Sequence, residues 1–153
     1  MRVAIGTDHA GFVLKERLKR ELEALGHDVV DVGTFAEQPP VDYPDFCFPV
    51  AEQVARGTVE RGVVLGGSGI GEAIAANKVD GIRAALVTSD ETARLTRLHN
   101  DSNVLALGGR TNTDHEACAR WLRVWLDTPF EGGRHVPRLE KIAAYERAHR
   151  TGG

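Results

Sequence analysis

Between residues 66 and 72 the chain reads Gly66-Gly67-Ser68-Gly69-Ile70-Gly71-Glu72, four glycines in six residues followed at once by a carboxylate. Glycines let the backbone turn tightly and aim several N–H groups at one point, and the first turn of a following helix adds positive potential. Such a nest suits an anion, either a phosphate or the oxyanion of an enediolate formed when a proton leaves the carbon beside a carbonyl. Glu72 weights the second choice. A carboxylate there repels a phosphate, yet it stands well as a base beside a carbonyl oxygen held by the amides. A plainer alternative stays open: a tight strand-to-helix turn with Glu72 as a favourable N-terminal helix charge. Nucleotide templates fit poorly. Gly67, Gly69 and Gly71 spell GxGxG with Glu72 where a dinucleotide fingerprint needs Gly or Ala, and no Gly-Lys-Ser/Thr pair is present.

Asp8 and His9 follow the first apolar run, where a carboxylate and an imidazole can share a proton or grip hydroxyls. The competing role for Asp8 is to cap the helix that begins near Gly11. His99 and Asn100 stand just before the fifth apolar run, and a helix-end histidine that complements the dipole is as good a reading there. Cations for a phosphate come from Arg110 and from Arg134-His135-Val136-Pro137-Arg138, where Arg134 and Arg138 share a face if that turn is helical. Scattered surface arginines are the competing account. His27, His115 and His149 suggest only a wet surface. Trp121 and Trp125, at helical spacing, read as core or interface.

These residues need a frame. Short apolar runs recur at 2–6, 28–32, 62–66, 83–87 and 103–107, with room for a helix between each pair. Helices are predicted after Gly11, with Leu14, Leu18, Leu22 and Leu25 on one stripe and Gly26 as terminator, then near 44–56, 71–79, 89–99, 114–127 and 135–149. The proline-rich stretch 33–44 reads as a loop suited to covering a substrate. The pattern predicts a three-layer α/β/α, Rossmann-like doubly wound sheet of about five parallel strands, in one domain over 1–150 with a loose tail at 151–153. Ligands of such sheets bind beyond the strand C-termini. A strand order of 2-1-3-4-5 makes the loops after the first and third strands neighbours there.

A net charge of −3 gives no footprint for nucleic acid or an anionic membrane, so any anion site is local. No apolar run approaches membrane-span length and no signal peptide is legible, which predicts a cytoplasmic protein. Cys47 and Cys118 lack ligand spacing and read as reduced thiols, with no metal site.

Taken together, Gly6-x-Asp8-His9-x-Gly11, Asp42-Tyr43-Pro44, the 66–71 loop, Ile74-Ala75-Ala76-Asn77-Lys78, Gly81-Ile82-Arg83, His99-Asn100-Asp101-x-Asn103 and Glu131-Gly132-Gly133-Arg134-His135 resemble the type B ribose-5-phosphate isomerases, whose wider family includes galactose-6-phosphate isomerase subunits. The likeness runs in order from Arg2 to about Arg147. It implies a cofactor-free, metal-independent aldose–ketose isomerase working through an enediolate, as a homodimer with shared active sites or a tetramer built from it. By that resemblance His99 and Asp8 assist ring opening, Glu72 carries the proton between C2 and C1, and Ser68 with the amides of Gly67, Gly69 and Gly71 holds the oxyanion. His9, Arg110, Arg134, His135 and Arg138 bind phosphate, and Tyr43 and Asn100 line the sugar. One departure stands out: many members carry a cysteine base immediately before the glycine loop, and here that position is Gly66. The chain resembles the branch with a glutamate base.

The resemblance implies ribose 5-phosphate and ribulose 5-phosphate as substrates. Erythrose/erythrulose 4-phosphate and hexose 6-phosphates remain alternatives, since one carbon changes the required reach by little. A non-catalytic sugar-phosphate sensor on the same scaffold is the rival of another class.

Overall fold

The structure, a computed structural model, describes residues 1–150, so the tail expected at 151–153 lies outside the described residues. Strands β1 (Arg2–Thr7), β2 (Asp28–Gly33), β3 (Arg61–Gly66), β4 (Ala84–Leu86) and β5 (Val104–Gly108) form one parallel sheet. Helices α1 (Phe12–Ala24), α2 (Pro44–Arg56), α3 (Ile70–Ala76), α4 (Asp90–Asn100), α5 (His115–Asp127) and α6 (Val136–Ala148) surround it, with short 3-10 turns at His9–Gly11 and Gly133–His135.

The strand order is β2-β1-β3-β5-β4, which corrects the expected 2-1-3-4-5. The reason is burial. Every residue of β5 is buried, as a central parallel strand requires, whereas β4 has three residues, none fully buried, and Leu86 is exposed. The neighbour relation that matters for a site, β1 beside β3, holds.

Side-chain size alternates along the central strands. Val3, Ile5, Val63, Leu65, Leu105 and Leu107 point to one face and pack on Leu14, Leu18, Leu22, Trp121, Leu122 and Trp125 of α1 and α5. Ala4, Val64, Val104 and Ala106 point to the other and meet α2 and α3. Each fully buried leucine contributes roughly 1.5–3 kcal/mol. The small-residue face lets α2 and α3 approach closely. A side chain at Gly62 would run into Val50, and one at Gly6 into Val32, Val50 and the Phe46 carbonyl.

Leu25 leaves the α1 stripe: it is exposed, because the helix ends there and Gly26 turns away with φ +85°. Trp125 is fully buried, its indole N–H donating to Ser102 Oγ at 2.9 Å. Helix α6 begins with Pro137 in its first turn and buries no residue. Among the described residues no helix is long and apolar enough to cross a membrane.

Candidate active site

Three loops meet beyond the C-terminal ends of β1, β3 and β5. Gly109 N donates to the Gly66 carbonyl at 2.8 Å, and Arg110 N and Thr111 N both donate to the Gly67 carbonyl. Gly11 packs against Gly66 N and Leu65, which no side chain would permit. Asp8 and His9, the 66–72 loop and Arg110 therefore share one crevice.

The Asp8 carboxylate does take the capping role considered for it. Its Oδ1 accepts from Ala10 N (2.9 Å) and Gly11 N (3.3 Å), so it caps the 3-10 turn that leads into α1, and it is buried. His9 Nδ1 is engaged by the backbone of Val41, with Val41 N at 3.1 Å. Through this bond His9 draws the 34–43 segment inward, and the hydroxyl end of Tyr43 lies against Gly71, where a side chain would meet the ring at 2.6 Å. The expected covering loop thus reaches the glycine loop.

Gly69 adopts φ +81° and starts α3, and its neighbours Leu86 and Leu107 leave no room for a side chain. Ser68 Oγ accepts from Ile70 N at 3.2 Å, closing a local turn. Glu72, in the first turn of α3, is 3% exposed, and among the described residues its Oε2 has no hydrogen-bond partner. Burial raises its pKa and the negative charge of Asp8 adds to this, with the amides of Glu72 and Gly69 opposing. The outcome is a carboxyl group that holds its proton more readily than an ordinary glutamate.

His99, Asn100, Arg134, His135 and Arg138 are not in this crevice. Helix α4 runs back from the C-terminal side of the sheet, so its last residues lie at the strand N-termini. There Asn100 O accepts from Arg83 Nε just before β4, and Glu131 N donates to Leu98 O, docking the 131–138 segment on α4. The five residues of β5 separate the two groups by roughly 17 Å, at ~3.3 Å per residue.

In this second group the His99 and His135 rings stack with centroids 4.4 Å apart and planes inclined by 23°. His135 is buried, its Nε2 3.4 Å from Glu131 Oε2, and His99 Nε2 stands 4.0 Å from the same oxygen. These three residues bring one donor atom each within 4.8 Å of one another, a set that resembles a metal site. Nearly parallel rings direct their lone pairs side by side rather than at one point, a poor match to tetrahedral coordination. Arg134 and Arg138 are exposed, and Arg134 reaches Glu131 at 3.4 Å.

Sequence reasoning passed over several positioning residues. Lys15, on the helix stripe assigned to charge, is fully buried. Its ammonium bonds both Asp31 oxygens (2.8 and 2.7 Å) and lies under the Phe35 ring, anchoring the start of the 34–43 segment. Burial alone would raise the Asp31 pKa, but Lys15 and the Gly33 amide hold it low. Glu131 stands in the 131–135 motif that carries the resemblance but is given no role there. His115 is not merely a wet surface residue: half-buried, its Nε2 lies 3.2 Å from Gly109 O in the β5 loop. Cys47 also lies close enough to the site to feel its charges. Burial pushes its thiol pKa well up, and the charges of Glu72 and Asp8 raise it further.

Comparison with known proteins agrees with this architecture. The family model described as Ribose/Galactose Isomerase matches residues 3–142. The ribose-5-phosphate isomerase B of Mycolicibacterium paratuberculosis is 45% identical over 152 residues, covering 99% of this chain and 95% of that protein. The solved ribose-5-phosphate isomerase B of Clostridium thermocellum superposes with a TM-score of 0.94 at 44% identity, covering 97% of this chain and 99% of that one. That of Mycoplasma genitalium, solved with bound ribulose-5-phosphate, gives 0.92 at 39% identity over 95% and 96% of the two chains. With a five-stranded sheet of that shape and a crevice at the ends of β1, β3 and β5, the chain belongs to the ribose/galactose isomerase family.

Proposed function

We propose that the chain interconverts D-ribose 5-phosphate and D-ribulose 5-phosphate, with Glu72 as the base and with each active site assembled from two copies of the chain. Glu72 carries this reading: a buried carboxylate with one unpartnered oxygen, its pKa raised, beside a nest of backbone amides. After ring opening by Asp8 and His99 of the partner subunit, Glu72 takes the proton from C2 of the aldose. The C2–H electron pair becomes the C1=C2 bond, and negative charge gathers on O1, facing Ser68 and the amides of Gly67, Gly69 and Gly71. The proton returns to C1, and transfer of the O2 proton to O1 leaves the ketone at C2. No metal or cofactor enters these steps. His9 and Arg110, with Arg134, His135 and Arg138 of the partner subunit, hold the phosphate, and Tyr43 and the partner subunit's Asn100 border the sugar.

The two-copy reading rests on the separation of the two groups along the sheet. An exposed apolar strip next to the crevice supports it: Ile70 (55% exposed) and Ile74 (58%) lie one turn apart on α3, with Leu86 at the end of edge strand β4. A second copy of the chain is the natural cover, giving a homodimer that tetramers can extend. The names of the relatives favour the five-carbon substrate, and a cytoplasmic location fits its chemistry. An isomerisation assay over phosphorylated four-, five- and six-carbon aldoses and ketoses tests the function. The highest kcat/KM belongs to the ribose/ribulose pair; a higher value for another sugar reassigns the substrate, and binding without turnover of any sugar makes the chain a sensor.

A further inference from the structure

Gly66 ends β3 with an ordinary backbone conformation, outside the left-handed region, so its φ does not call for glycine. Space does. A side chain there would overlap the carboxyl group of Glu72, Oε1 first, with Oε2 at 3.1 Å, and the three nearest atoms all belong to that one group. The other glycines of the loop answer to different neighbours, Gly69 to Leu86 and Leu107 and Gly71 to Tyr43. Position 66 also continues the parity of Gly62 and Val64, which face α2 and α3. Helix α3 spans seven residues, and its first turn folds Glu72 back onto the strand end six positions earlier.

We propose that Gly66 is a positioning residue for the base: the volume of its missing side chain is the socket that seats the Glu72 carboxylate at the end of β3. The socket withdraws the carboxylate from water and aims it at the crevice. Around it stand Asp8 from the β1 loop, Cys47 from α2, Tyr43 ahead of α2, and Arg110, whose stem passes Gly67. Any side chain at 66 pushes the carboxylate toward solvent, so the two positions form one unit of fixed combined volume.

The proposal rests on Glu72 being the base, and Glu72→Gln tests that separately: normal turnover in that variant removes the base itself. With that control inactive, Gly66→Ala is expected to lower kcat about a hundredfold with KM within a few-fold, and to move the acid limb of the kcat–pH profile to lower pH. Shortening the base compensates. Glu72→Asp slows the wild-type enzyme, but in the Gly66→Ala background it restores kcat about tenfold. A stability cycle needs no activity: Gly66→Ala lowers Tm strongly beside Glu72 and little beside Glu72→Ala, and the doubly substituted protein folds even if Gly66→Ala alone does not. Wild-type kcat and pH profile in Gly66→Ala, absence of rescue by Glu72→Asp, or equal loss of Tm with and without the carboxylate each overturns the proposal.

Discussion

The two groups of site residues are held in opposite ways. Those beyond β1, β3 and β5 are fixed by backbone: Asp8 is locked in a cap, His9 is tied to Val41, and Glu72 is sealed at 3% exposure against glycines. Of those at the strand N-termini only His135 is buried, while the Arg134 side chain is 64% exposed and Arg138 and Asn100 are open to solvent. The contrast follows from what each group must do. A carboxylate becomes a useful base by losing water, which needs a packed, preorganised pocket in one chain. On the proposed division of the site, a guanidinium keeps its charge and reaches for a phosphate, and exposure serves that until a second chain and the substrate cover it.

The largest expected effect is at Glu72. Glu72→Gln is expected to lower kcat by about three orders of magnitude or more with substrate binding retained, read by steady-state kinetics and calorimetric titration. Next comes division of the site between chains. Glu72→Gln and His99→Ala are each nearly inactive, but when co-expressed they should recover roughly one quarter of wild-type activity, because half of random dimers are mixed and each holds one intact site. Lack of recovery would place both residues in one chain's site.

Arg138→Ala is expected to raise KM about tenfold with kcat little changed, the mark of an exposed binding cation. Burial of Glu72 raises its folded pKa above the unfolded value, so its contribution to stability is complete below the unfolded pKa and fades as pH rises through the folded one. Glu72→Gln should therefore raise Tm at neutral pH and lose that advantage below the ordinary glutamate value of 4.5, as followed by thermal melts across pH. The smallest expected effect is none: iodoacetamide leaves activity intact, because Cys47 is fully buried and its raised pKa keeps the thiol protonated.

Much of the frame was legible because parallel strands write themselves as apolar runs and helices as stripes. Strand order was not, although the residues carried a clue. Val104-Leu105-Ala106-Leu107 is apolar throughout, while β4 is short and ends on an exposed leucine, so β5 belongs inside and β4 at the edge. Position after a strand located Asp8, Glu72 and Arg110, since topology fixes where such loops point. The separation of His99 and Arg134 from them was hidden, because direction along a helix must be traced before its ends can be placed. Lys15 was invisible for another reason: a lysine on an amphipathic helix looks solvated until its partner, Asp31 on β2, is brought beside it in space.

The length of β5 also bears on selectivity. If the base and the phosphate grip lie in different chains, their spacing is set by how two copies dock and not by any loop within one. Selectivity for sugar length then becomes a property of the contact between subunits. A small slide at Ile70 and Ile74, without change to any residue that touches substrate, would retune the enzyme for a shorter or longer sugar, which gives evolution a route to new substrates that leaves the chemistry untouched.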